Sequence, residues 1–304
     1  MEAIFRTNAL TKLYKGYAAV NAVNMAVNRG DIYGFIGANG AGKTTLIRML
    51  CGIALPTSGG MELFGGTGEA AQVRNRRRLG VIVETPALMR GYTATEALNW
   101  HKTVIGAPKG DIPRLLRLVG LADTGDKKVK DFSLGMRQRL AIAQALIGDP
   151  EFLVLDEPAN GMDPAGIVET REMLTHLNRE LGMTILISSH ILSELDKLAT
   201  KFGIIERGVL MAEREISDLA RSLGAAIVVK VSDPAAADML LKAKGFDSEI
   251  RLGSVAVRNF DGNAMELLNY LYSNKIEIES FWRESESLES YFFKVTQGGA
   301  AAHA

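Results

Sequence analysis

The sequence predicts an α/β domain with a largely parallel sheet, followed by a smaller α+β domain. Apolar strands alternate with helical stretches between residues 31 and 213, which is the pattern of a parallel sheet covered by helices. The stretch "EFLVLDEP" at 151–158 is a nearly continuous apolar strand, as expected where both faces are buried. After residue 215 the order of elements becomes βαββαβ plus a helix, which favours a split βαβ, ferredoxin-like arrangement.

Composition limits the class of protein. The chain has 304 residues, of which 47% are apolar and 23% are charged, so it has material for about two globular domains. The formal net charge is zero, which argues against a general nucleic-acid binder. A single cysteine excludes an internal disulfide, and no run of 18 apolar residues predicts a membrane span. The first residues lack the apolar stretch of a signal peptide.

The N-terminal part predicts two kinds of sheet. Residues 1–30 alternate apolar and polar side chains, which is typical of antiparallel strands. The apolar strand at 31–37 then leads into a glycine-rich turn, and helical spacing follows at 43–53. A further short strand, in "GVIVETP", stops at Glu84, so an acidic side chain stands where a core strand ends.

The middle of the chain continues the alternation. Residues 92–147 are predicted to be mostly helical, with breaks at "GAPKGDIP" and "KVKDFSLG". A helix at about 165–181, a strand at 183–189 and another helix follow, and a hairpin turns at Arg207-Gly208.

These patterns set the expected domain boundaries. We place the first domain at 1–215, with a helical subdomain at about 88–147, and the accessory α+β domain at 216–297. The residues 298–304 are expected to form a flexible tail. The accessory domain has no glycine-rich or metal-ligand pattern, so packing or dimer support is the favoured interpretation over binding of a small regulator.

A phosphate-binding motif joins the predicted strand at 31–37 to the predicted helix at 43–53. The segment "GANGAGKT", Gly37 to Thr44, fits G-x-x-x-x-G-K-[ST]. Its glycines let backbone N–H groups face phosphate oxygens, Lys43 supplies a point charge, and the Thr44 hydroxyl suits Mg²⁺. The helix that follows directs its positive end at the anion. The predicted ATP contacts here are Asn39, Gly40, Ala41, Gly42, Lys43, Thr44 and Thr45.

Acidic residues follow the buried strand of "FLVLDE". Asp156 at the strand end is predicted to hold Mg²⁺, and Glu157 is predicted to orient or deprotonate a water that attacks the γ-phosphate. His190 ends the strand of "LISSH" and is a candidate to hydrogen-bond the γ-phosphate or that water. Taken alone, His190 is more simply a capping or core histidine, but the neighbouring motifs favour the catalytic interpretation.

Together with "FSLGMRQR" at 132–139, these motifs resemble those of the ATP-binding cassette (ABC) ATPases. The segment resembles the ABC signature LSGGQ-x-QR: Ser133 and Gly135 match, whereas Leu134 and Met136 depart from it. The resemblance implies that Ser133 and Gly135 contact the γ-phosphate of ATP held by a second subunit. Ser133 also suits an ordinary helix cap, and both interpretations are compatible.

Three further positions match the family in order. Tyr14 resembles the aromatic residue that stacks on adenine, although a core aromatic is the alternative. Asp163 in "ANGMDP" resembles the D-loop acid, and Asp163-Pro164 also suits a helix start. Glu84 occupies the Q-loop slot, where most members carry glutamine, and the resemblance implies that it lies beside Mg²⁺ and the attacking water.

Glutamate in the Q-loop, the "SLGMRQR" signature and the appended domain resemble the ATPases of bacitracin-resistance and lantibiotic self-protection exporters. This implies a P-loop NTPase cassette with a RecA-like core, an antiparallel β subdomain and a helical subdomain. It also implies ATP and Mg²⁺ as ligands, an ATP-dependent homodimer, and an integral membrane permease that holds the chain at the cytoplasmic face of the membrane. Tyr92 and Trp100 are candidates for the permease contact, with buried packing as the alternative.

Other interpretations are kept as alternatives. A soluble ABC machine of repair, translation or cluster assembly is the main one, although this chain has neither a second cassette nor a long coiled-coil insertion. A nucleotide-binding regulator is disfavoured, because Glu157 and His190 suit hydrolysis. The basic run "RNRRR" at 74–78 is interpreted as a solvated helix face, and Cys51 as a small core residue.

Overall fold

The computed structural model describes residues 2–84, 86–107, 110–222, 226–258, 260, 263–284 and 288–300. The chain divides into two compact units. The first runs to Glu213 and takes in the chain from Val295, and the second is Arg214–Lys294. Among the helices within these ranges, none is both long and apolar enough to cross a membrane.

The first unit begins with an antiparallel sheet, as the alternating pattern predicts. It contains β1 (Ala3–Tyr14), β2 (Tyr17–Val23), β3 (Ala26–Asn28) and β5 (Ser58–Leu63). The strand β1 pairs with each of the other three in antiparallel register. Its inward residues, among them Phe5 and Leu10, are fully buried in the core that this sheet shares with the larger one.

The larger sheet has six strands in the order β10-β9-β4-β8-β7-β6. They are β4 (Ile32–Ile36), β6 (Leu79–Ile82), β7 (Phe152–Asp156), β8 (Thr184–Ser189), β9 (Lys201–Glu206) and β10 (Val209–Glu215). The neighbours from β9 to β6 run parallel. Every residue of β4, β7 and β8 is buried, which explains why these strands are apolar without alternation.

Helices of the first unit are α1 (Lys43–Leu50), α2 (Glu69–Asn75), α3 (Ala94–Val104), α4 (Ile112–Leu118), α5 (Leu134–Ala145), α6 (Pro164–Leu181) and α7 (Leu192–Leu198). The predicted helical stretch at 92–147 consists of α3, α4 and α5. Residues 108 and 109 of its first predicted break lie outside the described residues. The helix α1 ends earlier than the spacing suggests, because Gly52 has φ 77° and the Ile53 N–H turns back to the Arg48 carbonyl.

Polar residues begin four helices of this unit. Thr93 and Glu96 form a reciprocal capping box at the start of α3. The side chains of Asp111, Ser133 and Asp163 accept hydrogen bonds from backbone N–H groups of α4, α5 and α6. The cap interpretations of Ser133 and Asp163 are therefore correct.

The second unit is an antiparallel sheet packed against helices. It contains α8 (Ile216–Ser222), β11 (Ala226–Val231), α9 (Pro234–Ala243), β12 (Asp247–Arg251), β13 (Ser254–Arg258), α10 (Ala264–Ser273) and β14 (Ile278–Glu284). Its strands pair in the order β12-β13-β11-β14, all antiparallel. From β11 to β14 the elements follow the predicted βαββαβ order.

The helix α11 (Leu288–Ala300) closes the chain and crosses the boundary between the two units at residue 294. It extends three residues into the stretch expected to be a flexible tail. The helix includes Gly298 and Gly299, although glycine has a low helix propensity. Residues 301–304 lie outside the described residues.

Two arginines of the basic run at 74–78 form hydrogen bonds within the first unit. Arg76 donates to the last backbone carbonyl of α1 at 3.0 Å, and Arg78 forms two hydrogen bonds of 2.6 and 2.8 Å with Glu151. The Arg78 guanidinium holds the pKa of the Glu151 carboxyl down to about 2. Arg74 and Arg77 are exposed, so only part of the run is the solvated face that the sequence suggests.

The only cysteine, Cys51, follows α1 and packs against the apolar core of the first unit. Burial raises the pKa of its thiol to about 12, although the nearby Arg76 guanidinium opposes the shift. We therefore expect native Cys51 at pH 8 to react with an aromatic disulfide reagent roughly 50-fold more slowly than in denaturant, since the thiolate is the nucleophile. Release of the coloured thiol measures both rates. Equal rates would show that the thiol is accessible and of ordinary acidity.

Candidate nucleotide-binding site

The glycine-rich loop between β4 and α1 has a backbone that only glycine permits at two points. Gly42 has φ 115°, and a Cβ atom there would lie 2.4 Å from the Ala19 carbonyl oxygen. A Cβ atom at Gly37 would lie 2.5 Å from the Ile205 carbonyl oxygen. The Gly208 N–H donates to the Ala41 carbonyl at 2.8 Å, which fastens the loop to the β9–β10 turn. The loop is therefore held rigidly by its neighbours.

This loop forms one wall of a cleft of about 370 Å³. Because α1 begins at Lys43, the N–H groups of its first turn have no carbonyl partner within the helix and suit an anion. The residues lining the cleft are Tyr14, Tyr17, Ala19, Asn39, Gly40, Gly42, Lys43, Thr44, Thr45 and Glu157. Among the predicted loop contacts, Ala41 alone does not line it; its side chain is buried.

Lys43 is the charged centre of the cleft. Its side chain is 5% exposed, and its ammonium donates to the carbonyls of Gly37 at 2.6 Å and Ala38 at 3.2 Å. The third close oxygen is Glu157 Oε1, at 3.1 Å from Nζ. That contact is an ion pair whose geometry is not a hydrogen bond, so the buried Oε1 has no hydrogen-bond donor among the described residues.

Glu157 lies between Lys43 and His190. Its Oε2 is 2.7 Å from His190 Nδ1, while Oε1 faces Lys43. Its backbone has φ 50°, an uncommon value for a residue with a side chain, and its N–H donates to Ser188 Oγ at 2.9 Å. The structure thus brings the predicted base, the loop lysine and the predicted histidine into one line of contacts.

Asp156 is held by a residue that sequence reasoning missed. The parallel register of β7 and β8 places Asp156 beside Ser188. The Ser188 hydroxyl donates to Asp156 Oδ1 at 2.6 Å, and the aspartate is only 5% exposed. Ser188 therefore fixes Asp156 through its hydroxyl hydrogen and Glu157 through its oxygen. The available signal was the serine pair of "LISSH" at a strand end, and the structure shows that this strand adjoins "FLVLDE" in the sheet.

Glu84 is more exposed than the other two predicted site acids, Asp156 and Glu157. It follows β6, whose last pair with β7 is Ile82 with Leu155, so it lies at the same edge of the sheet as Glu157. Its carboxylate forms an ion pair with Arg48, one helical turn after Thr44 on α1, and it is exposed. Within the described residues, no hydrogen bond or ion pair joins Glu84 to the other predicted Mg²⁺ ligands.

The signature and D-loop residues lie outside the cleft. Ser133 Oγ accepts a hydrogen bond from Met136 N at 3.1 Å, and Asp163 Oδ1 accepts one from Gly166 N at 3.0 Å. Ser133 is exposed, and neither it nor Gly135 lines the cleft of its own chain. Their contact with a nucleotide in a second subunit stays a prediction.

Two tyrosines line the cleft together with the loop. Tyr14, the predicted adenine contact, is 44% exposed and is not the core aromatic of the alternative interpretation. Tyr17 lines the same cleft and is 57% exposed. Sequence reasoning missed Tyr17, although its place across a tight turn from Tyr14 was visible in "LYKGY".

Comparison with known proteins identifies the family of this site. The model of the ABC transporter family matches residues 20–160. The Bacitracin transport ATP-binding protein BcrA of Bacillus licheniformis is 41% identical over 303 residues, which are 98% of this chain and 99% of that protein. The Lantibiotic transport ATP-binding protein SrtF of Streptococcus pyogenes is 43% identical over 206 residues, which are 68% of this chain and 88% of that protein.

Solved structures agree on the fold. One of them is cbiO1 of Clostridium perfringens, which is part of the ABC transporter complex cbiONQ. It aligns with a TM-score of 0.66 at 25% sequence identity, and the alignment covers 72% of this chain and 91% of the cbiO1 chain. An ATP-binding cassette solved as a dimer with ADP and Pi has a TM-score of 0.62 at 22% identity, over 70% of this chain and 98% of its own. The predicted cassette fold is confirmed, and the chain belongs to the ATP-hydrolysing ATP-binding proteins of ABC transporters.

Proposed function

We propose that this chain is the ATPase subunit of an exporter that removes an antimicrobial peptide or drug through a separate membrane permease. Two relatives that carry bacitracin or lantibiotic transport in their names support the substrate class. The likeness to the bacitracin protein extends over both units of the chain, including the accessory one. A soluble repair or translation machine gains no support from these relatives.

The observation that carries the hydrolytic role is the position of Glu157 between Lys43 and His190. A carboxylate at the wall of a phosphate cleft is suited to accept a proton from the water that attacks the γ-phosphorus. His190 holds Glu157 Oε2 and so orients the carboxylate toward that water. Incoming phosphate oxygens compete with Glu157 for the Lys43 ammonium, which frees Oε1 for the water.

The donors near the loop fit Mg²⁺. The Thr44 hydroxyl and the nearly buried Asp156 carboxylate would supply oxygen ligands to the ion and leave room for water and phosphate oxygens. When bound, Mg²⁺ would neutralise charge on the β- and γ-phosphates. The hydrogen bond from Ser188 fixes the Asp156 carboxylate for this role. Glu84 is the third proposed ligand, and it must exchange its ion pair with Arg48 to serve.

A second copy of the chain completes each site in this proposal. Ser133 and Gly135 begin α5, where backbone N–H groups and a hydroxyl suit a phosphate supplied from outside the chain. A twofold dimer would bring each signature onto the partner's cleft and give two equal sites. The permease would hold this dimer at the cytoplasmic face of the membrane, and Tyr92 and Trp100, at 39% and 44% exposure, are the proposed contacts.

The variant Glu157→Gln tests the role of the base. The amide cannot accept the proton, so we expect ATP turnover to fall at least about 100-fold. ATP binding should persist and trap a stable dimer, detectable by light scattering after gel filtration. The exposed Glu180→Gln is a matched control outside the cleft. Full turnover by Glu157→Gln would contradict the assigned role.

The variant Glu84→Gln tests the proposed metal contact. Loss of the charge should leave ATP affinity within about threefold, while the Mg²⁺ concentration for half-maximal turnover should rise about fivefold or more. A titration of turnover against Mg²⁺ at saturating ATP measures this. If neither the Mg²⁺ requirement nor the rate changes, Glu84 is only the surface partner of Arg48.

Membrane association is tested by purification. We expect the tagged chain to co-purify from solubilised membranes of its native host with an integral membrane protein. The variant Trp100→Asp should recover at least about threefold less of that protein, because a charge would replace an aromatic anchor. Tyr272→Asp, at a 75% exposed tyrosine of the accessory unit, is the control. A chain found only in soluble complexes would contradict the exporter role.

A further inference from the structure

The hairpin of β1 and β2 carries a directly paired tyrosine on each strand. Tyr14 pairs directly with Tyr17 across the strands, and the turn between them is Lys15 with φ 47° and Gly16 with φ 85°. Two central residues with positive φ are the mark of a tight type I′ turn. Side chains of directly paired residues stand on the same face of the hairpin, about 5 Å apart at Cβ.

Both rings belong to the cleft that contains the phosphate loop. Tyr14 and Tyr17 are the aromatic residues of its described lining. Their exposures of 44% and 57% are those of rings open to a ligand, unlike the fully buried Tyr33 of the core. A cleft lined by two tyrosines and by a cationic loop rich in N–H groups matches a molecule with a planar base and a phosphate tail.

The hairpin is fixed to the phosphate loop. The Ala19 carbonyl of β2 packs so closely on Gly42 that a Cβ atom there would lie 2.4 Å away. The Asn21 N–H donates to the Gly208 carbonyl, and the Gly208 N–H donates to the Ala41 carbonyl, each at 2.8 Å. The position of the hairpin backbone relative to the loop is therefore set by backbone contacts.

The Lys12 ammonium lies over one face of the Tyr14 ring. It is 5.0 Å from the centre of that ring and also donates to the Leu55 carbonyl at 2.7 Å. A cation held over one face leaves the other face of the ring for stacking. Tyr17, which pairs with Tyr14 across the strands and lines the same cleft, is the second ring available to a planar ligand.

We propose that Tyr17 is a second residue that contacts the purine base, so that Tyr14 and Tyr17 together form the base-binding end of the cleft. The proposal rests on the proposed function, in which this cleft holds ATP. Tyr17 is thus a second base-contacting residue, and we expect it to contribute to the binding of a nucleotide and nothing to the binding of its phosphates alone.

The test compares Mg²⁺-ADP with Mg²⁺-pyrophosphate, neither of which supports ATP turnover, by calorimetry on the full chain. Tyr17→Ala should weaken ADP binding about 5- to 10-fold, since the base loses an aromatic ring on which it stacks. Pyrophosphate affinity should change less than about twofold. Tyr17→Phe should bind ADP within about twofold of the wild type, because it keeps the ring.

Two controls keep the result clear. Tyr272→Ala removes an exposed tyrosine of the accessory unit and should change neither affinity. Tyr17→Thr, with a strand-forming side chain, repeats the test if Tyr17→Ala lowers the melting temperature. Unchanged ADP affinity, or equal losses for ADP and pyrophosphate, would overturn the role of Tyr17. A wild-type chain that binds neither ligand would instead overturn the proposed function.

Discussion

The parallel register of β4, β7 and β8 is the constraint on which the site depends. It aligns Ile36 with Ser189 and Asp156 with Ser188, so these three strands end at one edge of the sheet. The glycine loop, the acidic pair and His190 all follow those strand ends. A shift of one residue would turn Asp156 to the other face and separate it from the Ser188 hydroxyl, which is 2.6 Å from it.

The ion pair of Lys43 and Glu157 at this edge of the sheet links phosphate binding to the proposed hydrolysis. Lys43 is nearly buried, and its charge is balanced by two carbonyls and by Glu157. Because Glu157 is both the counter-ion of Lys43 and the proposed base, phosphate that takes over Lys43 also releases the base. The left-handed backbone of Glu157, held by Ser188, is consistent with strain retained at a functional position.

Local patterns predicted much of this molecule, and long-range geometry supplied the rest. The loop residues, Asp156, Glu157 and the strand–helix order follow from motifs and hydrophobic periodicity, which act over a few residues. The double role of Ser188 depends on which strands are neighbours, and the pairing of Arg48 with Glu84 depends on how α1 packs on the sheet. Neither is encoded in a short window of sequence.

The affinity of Lys43→Ala for ATP shows whether the phosphates bind in the Lys43 cleft. We expect this variant to stay folded and to bind ATP about 10- to 100-fold more weakly than the wild type, because a charge-assisted contact to the phosphates is lost. Equal affinity of the two proteins, measured by calorimetry under the same Mg²⁺ and salt conditions, would contradict this placement of the phosphates.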